Sequence, residues 1–325
     1  LRASNLLLGS IVGRRGIAEI SLPGGCNIGS RPMDLHLKGL QLLGFETTLE
    51  HGFIKIRNAS PQGNNIYLDF PSVGATENIM MAASVVPGQT IIENAAKEPE
   101  IVDLGNYLNA MGARVRGMGT DIIKIEGVSQ LKGVRYAVIP DRIEVGTFMT
   151  ASAITGGKVI LENVISTHVQ PVIAKLREIG VQIGEKDDCI EIVGYPKIKA
   201  VDIKTMPYPG FPTDMQSQFM SLLSLADGTS VIVENVFENR FQVADELKRM
   251  GANIKVEGHT AVVKGVPRLG GTCVKATDLR AGAALVIAAL AAEGETEISQ
   301  VHHIFRGYEN LVQKFTNLGA DLQLD

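Results

Sequence analysis

Apolar and polar positions along the chain switch between two periods, and the switch repeats. Ile66–Leu68 reads as a short strand, and 75–85, rich in alanine and methionine, reads as a buried helix. Thr90–Glu93 is a second strand. Ile101, Leu104, Leu108 and Met111 follow at the three-four spacing of one helix face. Gly112 comes next, where a helix ends on a left-handed residue. Ala113–Arg116 and Ile122–Glu126 then pair as strands, the second alternating Ile123 and Ile125. The unit is strand, helix, strand, helix, strand, strand.

Its punctuation recurs. A glycine between a helical pattern and a strand stands at Gly44, Gly112, Gly180, Gly251 and Gly319, successive members 68, 68, 71 and 68 residues apart. A second glycine, opening a strand, keeps step at Gly88, Gly157, Gly228 and Gly294. Two marker sets with one period predict internal duplication. The unit is too long for a small solenoid repeat, although one continuous solenoid is the alternative. Helices on one face of a mixed sheet predict α+β domains. The junction is expected at Pro140, giving a domain 1–139 and a second, three-repeat domain 140–325. Five end-markers where six would make two sets of three, and a first residue that is leucine, lead us to expect a missing N-terminal unit.

Composition removes several classes of function. The 325 residues are 45% hydrophobic, enough for two cores. A net charge of −4 and no tryptophan give neither a basic field nor stacking platforms, so no nucleic-acid partner is expected. The longest apolar run, 281–292, is too short for a bilayer, and no membrane partner is expected. Cys26, Cys189 and Cys273 are widely separated, which suits a reducing compartment and a cytoplasmic protein. Cys189 and Cys273 read as structural. His36, His168 and His303 are scattered, and no spacing fits a zinc site. Composition leaves the oligomeric state open.

The strongest chemical signal is Pro23-Gly24-Gly25-Cys26-Asn27-Ile28-Gly29-Ser30-Arg31-Pro32. Its glycines allow a tight turn and close approach to a ligand. A thiol on such a loop, five residues before a guanidinium, has surroundings that favour the thiolate. The alternative is a small apolar filler. Ser72-Val73-Gly74, opening a helix, offers backbone N–H groups to diphosphate oxygens. Asp214 precedes a helix expected over 215–226, which it could cap.

Several signatures together resemble the enolpyruvyl transferases. They are the Cys26 loop, Arg31-Pro32-Met33-Asp34-Leu35-His36, Ser72-Val73-Gly74-Ala75-Thr76, Glu93-Asn94-Ala95-Ala96 with Glu98-Pro99-Glu100, and Pro140-Asp141-Arg142-Ile143-Glu144. Phe211-Pro212-Thr213-Asp214-Met215-Gln216, Val236-Phe237-Glu238-Asn239-Arg240-Phe241, Ala276-Thr277-Asp278-Leu279-Arg280 and His303 with Arg306-Gly307-Tyr308-Glu309 complete the set. The resemblance implies two domains of βαβαββ repeats about pseudo-threefold axes, an inside-out α/β barrel closing over a cleft. Family members are longer at the N-terminus, where a Lys-Asn pair contributes to the phosphoenolpyruvate site.

The implied reaction moves an enolpyruvyl group from phosphoenolpyruvate to the 3′-hydroxyl of UDP-N-acetylglucosamine, releasing phosphate, in the first committed step of peptidoglycan precursor synthesis. No cofactor or metal is implied. By resemblance, Arg306 and Arg240 hold the substrate carboxylate, and Arg31 and Arg2 the phosphate, with Arg280 beside them. Asp214 is the base at the accepting hydroxyl. Cys26 is the proton donor and can form an adduct with the three-carbon unit, while Asp278 supports the charge network or proton shuttling. Arg31, Pro32, Met33, Asp34 and Leu35, with Phe70, Pro71, Ser72, Val73 and Gly74, face the uridine and diphosphate, and Val236 lies near the sugar. The alternatives are a catalytically impaired scaffold paralogue or fragment, and the sister activity on shikimate 3-phosphate. A cysteine hydrolase lacks a local histidine partner for its thiol.

Overall fold

The computed structural model describes residues 2–22, 33–195 and 197–324. The described chain divides into two compact units, one running to Ile139 and one from Pro140 onward.

In the first unit the expected order of elements is seen complete. Asn65–Tyr67, helix Val73–Ala83, Gln89–Glu93, helix Pro99–Ala110, Arg114–Arg116 and Ile122–Glu126 follow in turn. Asn65–Tyr67 runs parallel to Gln89–Glu93, and Ile122–Glu126 and Arg114–Arg116 extend the sheet antiparallel. Alternation sets the register: Ile66, Ile92 and Ile123 lie side by side and are all 0% exposed. Upstream, Ile17–Ser21, Phe53–Asn58 and Phe45–Glu50 form an antiparallel sheet.

Helix Leu7–Arg15 packs closely on Val73–Ala83. Gly9 permits the approach, because a Cβ there would run into the backbone of Asn78. The Gly9 N–H donates to Asn78 Oδ1 (2.6 Å), and Asn78 Nδ2 donates to the Asn5 carbonyl (2.9 Å), so the contact is also satisfied polar to polar.

In the second unit the order repeats. Ile203–Lys204, helix Gln216–Leu223, Thr229–Val233, helix Val243–Arg249, Asn253–Glu257 and Thr260–Lys264 build a four-stranded sheet whose one parallel pair is Ile203–Lys204 with Thr229–Val233. Lys158–Glu162, Cys189–Val193 and Gln182–Lys186 form an antiparallel sheet, and Cys273–Lys275 pairs parallel with Glu297–Ser299.

One inner helix from each repeat packs at the centre of this unit: Arg142–Thr155, Gln216–Leu223 and Leu279–Leu290. All of Gln216–Leu223 is buried, so its polar residues must find partners inside. Ser221 Oγ donates to the Ala284 carbonyl (2.8 Å), and Gln218 Nε2 donates to Thr147 Oγ1 (3.2 Å), which lies 2.8 Å from the Tyr308 hydroxyl.

The marker glycines have a conformational reason. Gly44, Gly112, Gly180, Gly251 and Gly319 have φ between 85° and 108°, where a side chain is disfavoured. In the second set Gly88, Gly228 and Gly294 are likewise left-handed. Gly157 is not, because its neighbour Gly156 (φ 67°) ends helix Arg142–Thr155 in that conformation. No helix among the described residues is long and apolar enough to cross a membrane.

Candidate functional site

The head of each inner helix occupies the same place in its repeat, and chemistry is concentrated there. Ser72 caps Val73–Ala83 by accepting from the Ala75 N–H (3.3 Å). Asp141 caps Arg142–Thr155 through the N–H groups of Ile143 (2.8 Å) and Glu144 (3.2 Å). Asp278 caps Leu279–Leu290 through those of Arg280 (2.9 Å) and Ala281 (3.1 Å).

The repeat marked by Gly251 departs from this pattern. Its helix begins later than expected, as Gln216–Leu223, after a 3-10 turn over Thr213–Met215. Pro212 stands where Ser72, Asp141 and Asp278 stand, sixteen residues before the strand-opening glycine, and has no side-chain oxygen to cap with; the next residue, Thr213, donates its hydroxyl to Glu234 Oε2 (2.9 Å). Asp214, one residue on, is the middle of the turn and engages two arginines. Arg240 Nη2 donates to its Oδ1 at 2.8 Å, and Arg280 donates to its Oδ2 from Nη2 (3.0 Å) and Nε (3.2 Å).

Both arginines are withdrawn from solvent. The Arg240 side chain is 3% exposed and that of Arg280 12%, whereas Asp214 remains 37% exposed. Burial disfavours the charge on Arg280, but Asp214, Tyr308 and Asp141 outweigh it and hold the guanidinium above its ordinary range. Tyr308 lies under it at 5.4 Å and Phe237 under Arg240 at 5.5 Å. Arg240 Nε and Arg280 Nη1 are buried and have no partner among the described residues.

Asp278 is 2% exposed, and by capping through the Arg280 N–H it ties that arginine's backbone to the helix head. Arg306 closes the 3-10 segment Val301–Arg306 and is exposed. His303 lies on the same 3-10 segment as Arg306. Burial, then the neighbouring charges of His302 and Arg306, hold its imidazole below the usual 6.5, while Asp278 acts in the opposite sense.

Val236 is placed by a residue that sequence reasoning missed. Glu234 is 1% exposed, and its Oε1 accepts from Thr205 Oγ1 (2.9 Å) and the N–H groups of Val236 (2.8 Å) and Phe237 (3.2 Å). A signal was present. Glu93 and Glu162 follow their strand-opening glycines by five residues, and Glu234 follows Gly228 by six. One added residue moves a side chain to the opposite face of a strand, so Glu93 and Glu162 are exposed and Glu234 is inside.

In the first unit Met33 is buried, Asp34 starts helix Asp34–Leu42 and Leu35 is half-buried. This helix head lies beside that of Val73–Ala83: His36 Nδ1 is 2.8 Å from Asn78 Nδ2, and a Cβ on Gly74 would stand 3.0 Å from the His36 ring. Phe70 is 46% exposed and Pro71 half-buried just before the Ser72 cap. Arg2 begins a 3-10 turn over Arg2–Leu6. Cys26, Arg31 and Pro32 lie outside the described residues.

Cys189 starts strand Cys189–Val193 and is half-buried; Cys273 is exposed, with its Sγ 3.3 Å from Glu297 Oε2. No group of His, Cys, Asp and Glu among the described residues could hold a metal. A cavity of about 740 Å³ lies between helix Gln170–Ile179 and strand Ile203–Lys204; Phe211 lines it, but Asp214, Arg240 and Arg280 do not.

Repeated βαβαββ units, with a carboxylate between two buried guanidiniums, are the arrangement expected of an enolpyruvyl transferase. The chain belongs to the EPSP synthase (3-phosphoshikimate 1-carboxyvinyltransferase) family, whose pattern matches residues 1–315. Within that family it is 60% identical over 322 residues to UDP-N-acetylglucosamine 1-carboxyvinyltransferase 1 of Caldanaerobacter subterraneus, covering 99% of this chain and 78% of that protein. It is 56% identical to UDP-N-acetylglucosamine 1-carboxyvinyltransferase of Halothermothrix orenii, with the same coverage of each chain. Among solved structures, the enolpyruvyl transferase NikO from Streptomyces tendae superposes with a TM-score of 0.89 at 27% identity, covering 99% of this chain and 77% of that one. EPSP synthase from Acinetobacter baumannii, 22% identical with a TM-score of 0.73 over 98% of this chain and 78% of that one, shares the fold.

Proposed function

We propose that this protein transfers the enolpyruvyl group of phosphoenolpyruvate to the 3′-hydroxyl of UDP-N-acetylglucosamine and releases phosphate. The observation that carries the reading is the pair of buried guanidiniums meeting at Asp214, each keeping one buried N–H without a partner among the described residues. Planar donors of this kind suit a carboxylate or phosphate, and both substrates carry such groups. The names of the relatives at 60% and 56% identity supply the acceptor.

The sugar oxygen bonds to C2 of phosphoenolpyruvate as it loses its proton, and C3 gains one. Loss of a C3 proton with departure of phosphate then restores the double bond on the transferred unit. Asp214 is the base for the hydroxyl, 37% exposed while the two arginines fix its orientation. Arg240 and Arg306 hold the carboxylate side, and Arg31 and Arg2 the phosphate, with Arg280 beside them. Cys26 supplies the proton, with Asp278 supporting the charges around Arg280. Residues 31–35 and 70–74 take the nucleotide, where Ser72-Val73-Gly74 opens a helix whose first N–H groups suit diphosphate oxygens. Val236 lies by the sugar. Residues 1–139 and 140–325 act as the two domains, and the reaction serves peptidoglycan precursor synthesis in the cytoplasm.

Steady-state phosphate release tests the reading. Release should require both substrates, and Asp214→Ala should lower kcat by about 10²- to 10⁴-fold, the usual worth of a positioned acid or base. Release that ignores UDP-N-acetylglucosamine, or survives Asp214→Ala, contradicts it. The epoxide fosfomycin should add once, and Cys26→Ser should abolish the adduct; labelling that persists in Cys26→Ser removes Cys26 from the scheme.

A further inference from the structure

We propose that Glu234 is a positioning residue that sets Asp214 against Arg240, and that its contact with Thr213 carries this role. A carboxylate that is 1% exposed must be fully hydrogen-bonded to be tolerated inside. Glu234 meets that need with four donors from three segments: Thr205 at a strand end, Thr213 at the helix head, and the amides of Val236 and Phe237 in the following loop. Two of those segments carry the proposed machinery. Thr213 is the neighbour of Asp214, and the Phe237 ring lies 5.5 Å from the Arg240 guanidinium.

One side chain therefore grips both the turn that presents Asp214 and the loop that leads to Arg240. The 2.8 Å contact between them is held at its two ends by the two oxygens of Glu234. The clamp sits where this repeat departs from the others. Pro212 holds the capping place and has no side-chain oxygen to offer, Thr213 is turned to Glu234, and the first turn is 3-10. Asp214, two residues past the capping place, puts its oxygens on the arginines.

The geometric part stands on these contacts; the catalytic part rests on the function proposed above, so the test reads both. Thr213→Val removes one hydroxyl and leaves the three donors to Oε1. Glu234→Gln keeps the shape and reverses one hydrogen bond. Without substrate, solvent exchange of the Arg240 and Arg280 guanidinium protons, followed by nitrogen-15 NMR, should accelerate by about tenfold or more in each variant. With substrates, kcat should fall by about 10- to 100-fold, as expected for a misplaced reacting group, at little change in the KM for UDP-N-acetylglucosamine. The double variant should be no slower than the slower single one, because both weaken the same contact between residues 213 and 234.

Unchanged exchange in both variants overturns the proposal whatever the activity. Losses in kcat that multiply in the double variant overturn it too, as does a kcat that falls only in step with melting temperature, which marks a plain loop brace. A wild-type protein that releases no phosphate strikes the proposed function, and the exchange measurement then decides the clamp by itself.

Discussion

Asp214 and Asp278 stand two positions apart in the frame of the repeat and have different surroundings. Asp278 is a buried helix cap; Asp214 is a half-open carboxylate between two guanidiniums. Asp278→Asn keeps an oxygen for the Arg280 and Ala281 N–H groups, so unfolding free energy should hold, whereas Asp278→Ala should lose about 0.5–2 kcal/mol, the range for a lost cap. If the charge of Asp278 serves the site, Asp278→Asn lowers kcat at constant stability; unchanged kcat would leave it a cap alone. His303 gives a pH prediction. Its folded imidazole titrates below 6.5 because burial and the neighbouring His302 and Arg306 oppose its charge, so the unfolded chain takes the proton first as pH falls. Its contribution is therefore complete above 6.5 and lost below it. His303→Gln should flatten the fall in melting temperature on the acid side of 6.5, and an unchanged slope would contradict this.

At the scale of elements, close packing outranks helix propensity where Leu7–Arg15 meets Val73–Ala83. Gly9→Ala gains up to about 1 kcal/mol of propensity. The new Cβ nonetheless meets the Asn78 backbone, and overpacking costs about 1–3 kcal/mol, so urea unfolding should show net destabilisation. A more stable variant would refute the close approach. Elements with a local cause were legible in the sequence. The helix ending before Gly112 spans Pro99–Ala110 because Pro99 presets its first turn, a little ahead of the apolar pattern that revealed it. The turn at Thr213–Met215 was not legible as such, because Thr213 is tied to Glu234, some twenty residues along the chain and on another element. The one-residue shift that buries Glu234 is visible in the sequence only once the repeats are aligned on their opening glycines.

For the whole molecule, the repeat was readable because a helix-ending glycine is a local requirement that recurs with the unit. Which side chains converge was not, since Asp214 is 26 residues from Arg240 and 66 from Arg280 and no period links them. Resemblance supplied those residues, and packing of the inner helices explains how Asp214 and Arg280 meet, with Arg240 reaching them from the 3-10 segment Arg240–Gln242; Cys26 and Arg31 remain assigned by resemblance. The account depends on the acceptor being a sugar nucleotide. Mass analysis of the product tests this most directly, with UDP-N-acetylglucosamine and shikimate 3-phosphate supplied together with phosphoenolpyruvate. We predict that only the sugar nucleotide gains one enolpyruvyl unit, with one phosphate released per unit transferred. An enolpyruvyl group found on shikimate 3-phosphate, or on neither acceptor while phosphate is released, would contradict the account.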